Sequence, residues 1–394
     1  MLANLLFYFS VVVALYIGFL YFRDLGDVSQ MVMAVKRENM IRFIRYEHKL
    51  LAAGLGATVL LTIAHFVMGA GTGWVFWPTL LLALVFYVFP WVWVHVGLRN
   101  QRNSASYYSI EEAQAELAPG APVIVLENNG VARAHPDSHL MRPHLAGNVD
   151  GLGGENVVMT YCSMANLGLG YIPEIDGNAC ALEVLAQHGN NLILRDDNTN
   201  EPIQQILGRR ENDQTGGSAM QPWPTFRMTF RSFQKAYPDG KVFLNKPSSN
   251  LLLRLFDLVT ETLFGASIAR QHAEAKPIME NMSRHDDRLP TKTYVWGIDI
   301  GDDAVCFTQD FLVEQGNLVN TRIGNRDIVL AWDPIFESLG AWYNDSGSTI
   351  ARIDFRGHSD QGDLTRVERL KAGLFWHVWS EFYPHTDINR VVAA

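Results

Sequence analysis

Cysteine is scarce in this chain: three in 394 residues, Cys162, Cys180 and Cys306. They are too few and too scattered for a disulfide framework. No C-x-x-C pair, C-x-x-C-H haem attachment or zinc-ribbon spacing occurs. Basic charge is short as well, and a net charge of −9 argues against a nucleic-acid partner, which needs a clustered basic surface. Phosphate-cradling glycine loops are missing: Gly151-Leu-Gly-Gly154 reads as a hairpin connection, and Gly208-Arg-Arg210 is too short for a nucleotide. Asp196, Asp197 and Asn198 resemble part of a calcium loop without its glycine and distal glutamate, so they read as a solvated turn. Charged residues make up only 19% of the chain against 48% hydrophobic, and the apolar excess is local. The length suggests two or three domains.

Three stretches hold that excess. Leu2 to Phe22 carries no charged side chain, Leu50 to Gly69 is a second apolar run, and Phe76 to Leu98 is a third. The third has Pro78 and Pro90 near its ends, and Trp74, Trp77, Trp91 and Trp93 where an interfacial aromatic belt would lie. At about 1.5 Å per residue each run can cross roughly 30 Å of hydrocarbon. We therefore expect three transmembrane helices (about 2–22, 50–69 and 76–98) in a membrane anchor of residues 1–103. The first run lacks the basic start and small-residue cleavage site of a signal peptide, so it is expected to be retained. Arg23, Lys36, Arg37, Arg42, Arg45 and Lys49 lie between spans one and two, and Arg99 and Arg102 follow span three, whereas the outer turn has no Lys or Arg. The positive-inside rule then predicts a bacterial inner-membrane protein with its N-terminus outside and its soluble region cytoplasmic. His65 and His95 are the only ionisable residues within the spans, which argues against a transporter. They read as haem ligands or as unpaired interfacial histidines. Val28 to Lys49 alternates apolar and basic residues, which suits an interfacial helix or a continuation of span two.

Beyond the anchor the period changes. Ser109-Ile-Glu-Glu112 is a capping box opening a short helix that Pro119-Gly120 stops. Strands are predicted at 123–126 and 131–134 about an Asn128-Asn-Gly130 turn, then at 157–161, 181–185 and 191–194. A similar order of strand, glycine turn, strand, glycine, strand recurs from Tyr294. Aligned without gaps, Gly130 meets Gly301, Gly153 meets Gly324 and Val158 meets Val329. Phe230 to Pro238 likewise resembles Trp376 to Pro384. The expected fold class is thus three N-terminal transmembrane α-helices followed by a β-rich α+β tandem repeat. The first repeat occupies 104–249, a linker with an amphipathic helix 250–284, and the second repeat 285–394.

A series of short strings, A-R-A-H-P from Ala132, D-G-L-G-G from Asp150, T-Y-C from Thr160, N-N-L-I-L-R-D from Asn190, E-P-I-Q-Q-I-L-G from Glu201 and H-D-D-R-L-P from His285, resembles the bacterial and archaeal family catalogued as domain of unknown function 3179. The resemblance covers roughly Ser109 to Asn389 and implies the same duplicated β-rich domain; it implies no activity. Many family members have a second cysteine three residues after T-Y-C, where this chain has Ala165, and often a tyrosine where it has His135. That departure argues against a dithiol redox or two-thiolate metal role. Members are often exported, whereas the flanking charges here point inward.

Cys162 ends an apolar strand at a glycine- and asparagine-punctuated turn, where binding residues tend to sit. With His135, His139 and His144 it forms a candidate copper, iron or zinc site, and Met159 and Met164 lie nearby. Pro136 and Pro143 rule out a zincin-like helix, and Met159 and Cys162 fall on opposite strand faces. The bland reading is polar loop histidines and a buried thiol. A Cys162 and His144 nucleophilic dyad is a further option. In the gapless alignment the second repeat has Cys306, Asp310, Gln315 and Asp333 at these four positions, so any such site belongs to the first repeat. Leu251, Leu252, Leu255, Leu258, Val259 and Leu263 form a helical stripe widened by Phe256 and Phe264. It reads first as a core helix and second as a helix docking on the membrane or a partner subunit. Leu252, Leu255, Phe256, Val259, Trp376 and Trp379 are the candidate partner-binding residues. With no recognisable catalytic constellation, the chain reads as a non-catalytic binding or assembly subunit of a larger complex, whose partners are the lipid bilayer and integral membrane proteins. The alternative is a metal-dependent enzyme or electron-transfer protein built around Cys162.

Overall fold

The computed structural model describes residues 1–26, 30, 33, 35–211, 217–279 and 282–391. Three apolar helices lead the chain, α1 (Leu2–Leu25), α2 (Arg37–Phe66) and α3 (Gly73–Trp91), the last continued by a π-helical turn, Val92–Gly97. Each is long and apolar enough to cross a bilayer. Close approach holds them together: the Tyr87 hydroxyl of α3 donates to Ala14 O of α1 at 2.7 Å. A methyl placed on Gly54 of α2 would lie 2.0 Å from that same hydroxyl. Leu5, Phe9, Val12, Val59 and Leu81 face outward, an apolar exterior suited to lipid. Of the two readings for the segment before span two, the described part forms the continuous helix, since α2 runs unbroken from Arg37. Val28 and Met31 lie outside the described residues.

The remainder is β-rich. Its first unit contains β1 (Tyr107–Tyr108), α4 (Ile110–Gln114), β2 (Pro122–Asn128), β3 (Val131–Pro136), α5 (Asp137–Leu140), β4 (Leu145–Ala146), β5 (Val158–Cys162) and β6 (Leu167–Ile172). An insert follows, made of β7 (Glu174–Ile175), β8 (Asn178–Ala179), β9 (Leu182–His188), β10 (Asn191–Asp196), β11 (Glu201–Gln204) and β12 (Arg209–Arg210). The unit closes with β13 (Gln221–Trp223), β14 (Thr225–Thr229), α6 (Phe230–Ala236) and β15 (Lys241–Phe243). After α7 (Leu251–Ala273), the second unit runs β16 (Tyr294–Ile300), β17 (Asp303–Phe307), α8 (Gln309–Glu314), β18 (Leu318–Ile323), β19 (Arg326–Asp333) and β20 (Ser338–Tyr343). It ends with β21 (His358–Ser359), β22 (Gly362–Asp363), β23 (Thr365–Arg366), β24 (Lys371–Phe375), α9 (Trp376–Phe382) and β25 (Asp387–Ile388).

The two units share a strand plan. One sheet reads β14-β2-β3-β15 in the first, with β1 added at its edge, and β24-β16-β17-β25 in the second. In both, the last pair is parallel and the others antiparallel. The other sheet reads β13-β6-β5-β4 and β23-β20-β19-β18. Register corrects the gapless alignment. Lys241, the fifth residue after α6, pairs with Arg133, and Asp387, the fifth after α9, pairs with Val305. Cys306 therefore corresponds to Ala134, and His135 to Phe307. Likewise, His144 N bonds Leu140 O and His144 O accepts from Tyr161 N, while Asn317 N bonds Leu312 O and Asn317 O accepts from Trp332 N. Asn317, not Gln315, is thus the counterpart of His144, and Phe311, not Asp310, that of His139. Cys162 and Asp333 remain matched, since Cys162 pairs with Leu167 where Asp333 pairs with Ser338. Small differences in loop length cause the slip, and a slip of one residue swaps the faces of a strand.

Gly153 and Gly324 are equivalent in geometry as well as in sequence. Their φ angles are 56° and 57°, and a Cβ would lie 2.5 Å from Asn128 O in one and 2.8 Å from Ile300 O in the other. Asn128 and Ile300 each close the first hairpin of their unit. Both positions thus need a left-handed backbone with no side chain.

One core cluster joins the units to each other and to the insert, containing Leu169 and Tyr171 of the first, Val184 and Leu194 of the insert, and Val295, Leu374, Trp376 and Trp379 of the second. Both tryptophans are fully buried; their indole N–H groups donate to Asp286 O and to Thr386 Oγ1, each at 2.9 Å. They are core residues and offer no surface to a partner. The Arg227 guanidinium adds a polar tie, donating to Asp137 (2.7 Å), Asn166 O (2.8 Å) and Ala372 O (3.0 Å).

Candidate functional site

The densest cluster of buried charge lies where the apolar helices meet the insert. Glu47, fully buried on α2, accepts from the Tyr21 hydroxyl of α1 at 2.9 Å, and its second oxygen accepts from Arg195 of β10. His95, in the π-helical turn after α3, lies 3.0 Å from Glu47 Oε1 and 2.9 Å from Glu183 Oε1 of β9. Arg195 also donates to Glu183 at 2.8 Å and to Asp197 at 3.1 Å. Asp197 in turn pairs with Arg102 at 3.2 Å. Pro90 supplies no N–H to the helix ladder, and the wider turn that follows carries His95 to its partners. A fully buried carboxylate is tolerable only when it is paired and hydrogen-bonded, and Glu47 finds its partners on three other elements, α1, the π-helical turn and β10.

The charges outside the apolar helices respond accordingly. Burial opposes ionisation of Glu183, yet the His95 hydrogen bond and charge and then the Arg195 charge hold its carboxyl below the usual range. Asp197 is pushed up, first by burial and then by the Glu183 charge. The reading of His95 as an unpaired interfacial histidine is corrected by its two carboxylate partners. His65 behaves differently, its Nδ1 lying 3.0 Å from Ala70 O and its ring stacked on Phe76 at 4.4 Å. Several of the flanking arginines join the head as well: Arg37 to Glu211 (2.7 Å), Arg45 to Glu201 (3.0 Å) and Arg99 to Asp257 (3.1 Å).

The histidines and cysteine expected to form a metal site are placed separately. His135 is fully buried on β3, with Nε2 3.1 Å from the Tyr107 hydroxyl and Nδ1 3.3 Å from Ile124 O. Burial pushes it down to about 3, so it is neutral at physiological pH. His139 Nδ1 accepts from Asn245 N at 3.0 Å. His144 sits in a left-handed turn at φ 51°, and burial pushes it down to about 4. Its backbone is the one brought next to the Cys162 strand, through the Tyr161 N to His144 O bond of 2.8 Å. Cys162 is buried and donates to Asn190 O at 3.5 Å. Among the described residues no three or more His, Cys, Asp or Glu side chains gather as a metal-holding group. The turn at Asp196 is formed, with Asp197 and Asn198 exposed as a solvated turn requires; the Asp196 carboxylate alone is buried, where it accepts from Ala181 N (2.8 Å) and Asn198 N (3.1 Å) and clasps the turn.

The α7 stripe is turned the other way from its first reading. Asp257, Thr260 and Ile268 face the protein, while Leu251 (70%), Leu255 (53%), Leu258 (63%) and Val259 (58%) are exposed. The side chains of Leu252, Leu263 and Phe264 lie outside the described residues. Half-buried Phe256 sits beneath the Arg142 guanidinium at 5.7 Å. Arg142 also pairs with Asp257 at 2.6 Å and donates to Gly97 O at 2.6 Å, which pins α7 to the end of the third apolar helix.

The sequence model of the family described as Protein of unknown function (DUF3179) matches residues 103–386. The chain belongs to that family. The match begins just after the apolar helices and takes in both units, the insert and α7. No curated protein and no solved structure matches the chain. Of the junction residues, Arg195 stands in the N-N-L-I-L-R-D string, which was its one sequence signal. Glu47 carried none, because its partner Arg195 lies 148 residues away along the chain; Glu183 faces Arg195 across the β9–β10 pair, only 12 residues away, and what went unread there was its role at the junction.

Proposed function

We propose that the chain is a non-catalytic binding and assembly subunit of a larger membrane protein complex. In this reading α1 to α3 span the bacterial inner membrane with the N-terminus outside, and the β-rich head is cytoplasmic. The observation that carries the reading is the exposed face of α7. A surface run of Leu251, Leu255, Leu258 and Val259 on an otherwise well-packed head is the kind of patch that marks an interaction site. It is pinned beside the end of α3 through Arg99, Arg142 and Asp257, so a partner that meets the bilayer there also meets this face. An integral membrane protein is the matching partner, docking by apolar helix contact.

A photo-crosslinking side chain at Leu258, in the full chain in native membranes, tests this. Crosslinking to one membrane protein, lost in Leu255→Glu with the fold retained, is the expected result. A chain that crosslinks only to lipid and purifies alone with stoichiometric copper, iron or zinc would refute the reading. Placement of the head is tested separately by a C-terminal reporter active only outside the inner membrane, which is expected to stay silent.

A further inference from the structure

The second unit holds a cleft of about 370 Å³ between the start of α9 and the loop carrying the H-D-D-R-L-P string. His377 lines it. Its side chain is almost wholly buried, at 6% exposure, with Nδ1 2.8 Å from Thr291 O. A carbonyl oxygen only accepts, so Nδ1 carries the ring proton and Nε2 is left as a bare lone pair. That Nε2 has no hydrogen-bond partner. Buried polar atoms are nearly always satisfied, and an unsatisfied one on a residue that lines a cleft, though itself closed to solvent at rest, points to a group that arrives from outside.

The rest of the wall defines what could arrive. Asp286 is already occupied, its carboxylate paired with Arg288 at 2.7 Å and its carbonyl accepting from Trp376. Glu381 is taken up by the backbone N–H groups of Ser283 (3.1 Å) and Arg284 (3.0 Å). The side chains of Arg284 and His285 stand exposed at the rim, and no ion pair engages the Arg284 guanidinium among the described residues. The cleft therefore offers an acceptor toward its base and, at its mouth, the Arg284 guanidinium with the His285 imidazole beside it. Burial pushes His377 down to about 4, which keeps the base neutral at physiological pH. The first unit has no such arrangement: Arg231, the residue of α6 matching His377, is exposed and paired with Glu337.

We propose that this cleft binds a small hydroxylated anion, its hydroxyl donating to His377 Nε2 and its carboxylate or phosphate held by Arg284 and His285. A hydroxyl placed on Nε2 satisfies the orphaned acceptor, and an anion at the rim meets guanidinium geometry suited to either oxyanion.

The test uses the full chain in detergent with ¹⁵N-labelled histidine, titrated with glycerate and with glycerol 3-phosphate, and with glycerol and inorganic phosphate as the separate halves. At least one hydroxylated anion is expected to shift the His377 imidazole resonance, the one missing in His377→Phe, together with that of His285. Each half alone should bind at least tenfold more weakly. Response to glycerate alone identifies a carboxylate ligand, and to glycerol 3-phosphate alone a phosphate ligand. Arg284→Ala, at an exposed position, should weaken binding at least tenfold even if His377→Phe proves unstable. No imidazole response to either anion, or a response that survives Arg284→Ala undiminished, overturns the proposal.

Discussion

The first unit is tied to the apolar helices through its insert, and among the described residues no ion pair ties the second unit to them, although the two share one strand plan. Between β6 and β13 the first unit carries the β9 to β12 sheet, and between β20 and β23 the second has only the short β21-β22 hairpin. Every head residue in the junction network, Glu183, Arg195 and Asp197, belongs to that insert. Leu185, Ala186 and Ile193 add an apolar contact to Tyr21, Phe43 and Val94 of the helices. Doubling a fold thus leaves one copy available for mounting and the other for different work, which is where the His377 cleft lies.

The largest effect should come from the mounting itself. Arg195→Met leaves Glu47 and Glu183 without their shared guanidinium, and stranding a buried charge of this kind costs about 3–5 kcal/mol. Hydrogen exchange should rise first in β9 and β10 while β16 to β20 keep their protection; uniform loss across both units would dissolve the distinction. The next test asks whether the shared plan is shared energetically. Gly153→Ala and Gly324→Ala should each destabilise by about 1–3 kcal/mol, since both force a side chain onto a left-handed residue against a carbonyl. Closely similar losses in urea unfolding would sharpen the equivalence, and a neutral substitution at either site would break it.

Acid should separate the units again. His135 and His144 in the first unit and His377 in the second have folded values near 3, 4 and 4 against 6.5 when unfolded. The unfolded chain then binds more protons across that window, so stability is complete above about pH 6.5 and falls as pH drops toward the folded values. Each histidine removes up to about 2 kcal/mol by pH 5. Thermal melting across that range should show the fall, with exchange rising sooner in the first unit; a flat profile from pH 7 to 5 would contradict the burial of these rings. The smallest effect is at the thiols. Burial pushes Cys180 up to about 11 and Cys306 up to about 12, so maleimide should label neither at neutral pH until denaturant is added, because the thiolate is the reactive form.

Local signals carried much of this in the sequence. The Asn128-Asn-Gly130 turn appears with Asn129 at φ 49° and Gly130 at φ 78°, as a two-residue hairpin loop requires. The Ser109 and Glu112 capping box is formed in full. What could not be read depends on distance or direction. The Glu47 partner on β10 is 148 residues away, beyond any periodicity. The stripe on α7 announces two unlike faces but not which of them meets the protein. The alignment of the units slipped because loop lengths differ by a residue or so, a change invisible to glycine matching yet enough to exchange Cys306 for Phe307 opposite His135.

α2 is 30 residues long, roughly 45 Å at 1.5 Å per residue. Its lower end is clamped to the insert by Arg37, Arg45 and Glu47, and its upper part is greased on the outside. Set in a bilayer, as proposed above, such a rod would be a lever: thinning, stretching or crowding of the lipid that leans its top would tilt the clamped strands with it, so mechanical strain in the membrane would be legible to whatever holds the head.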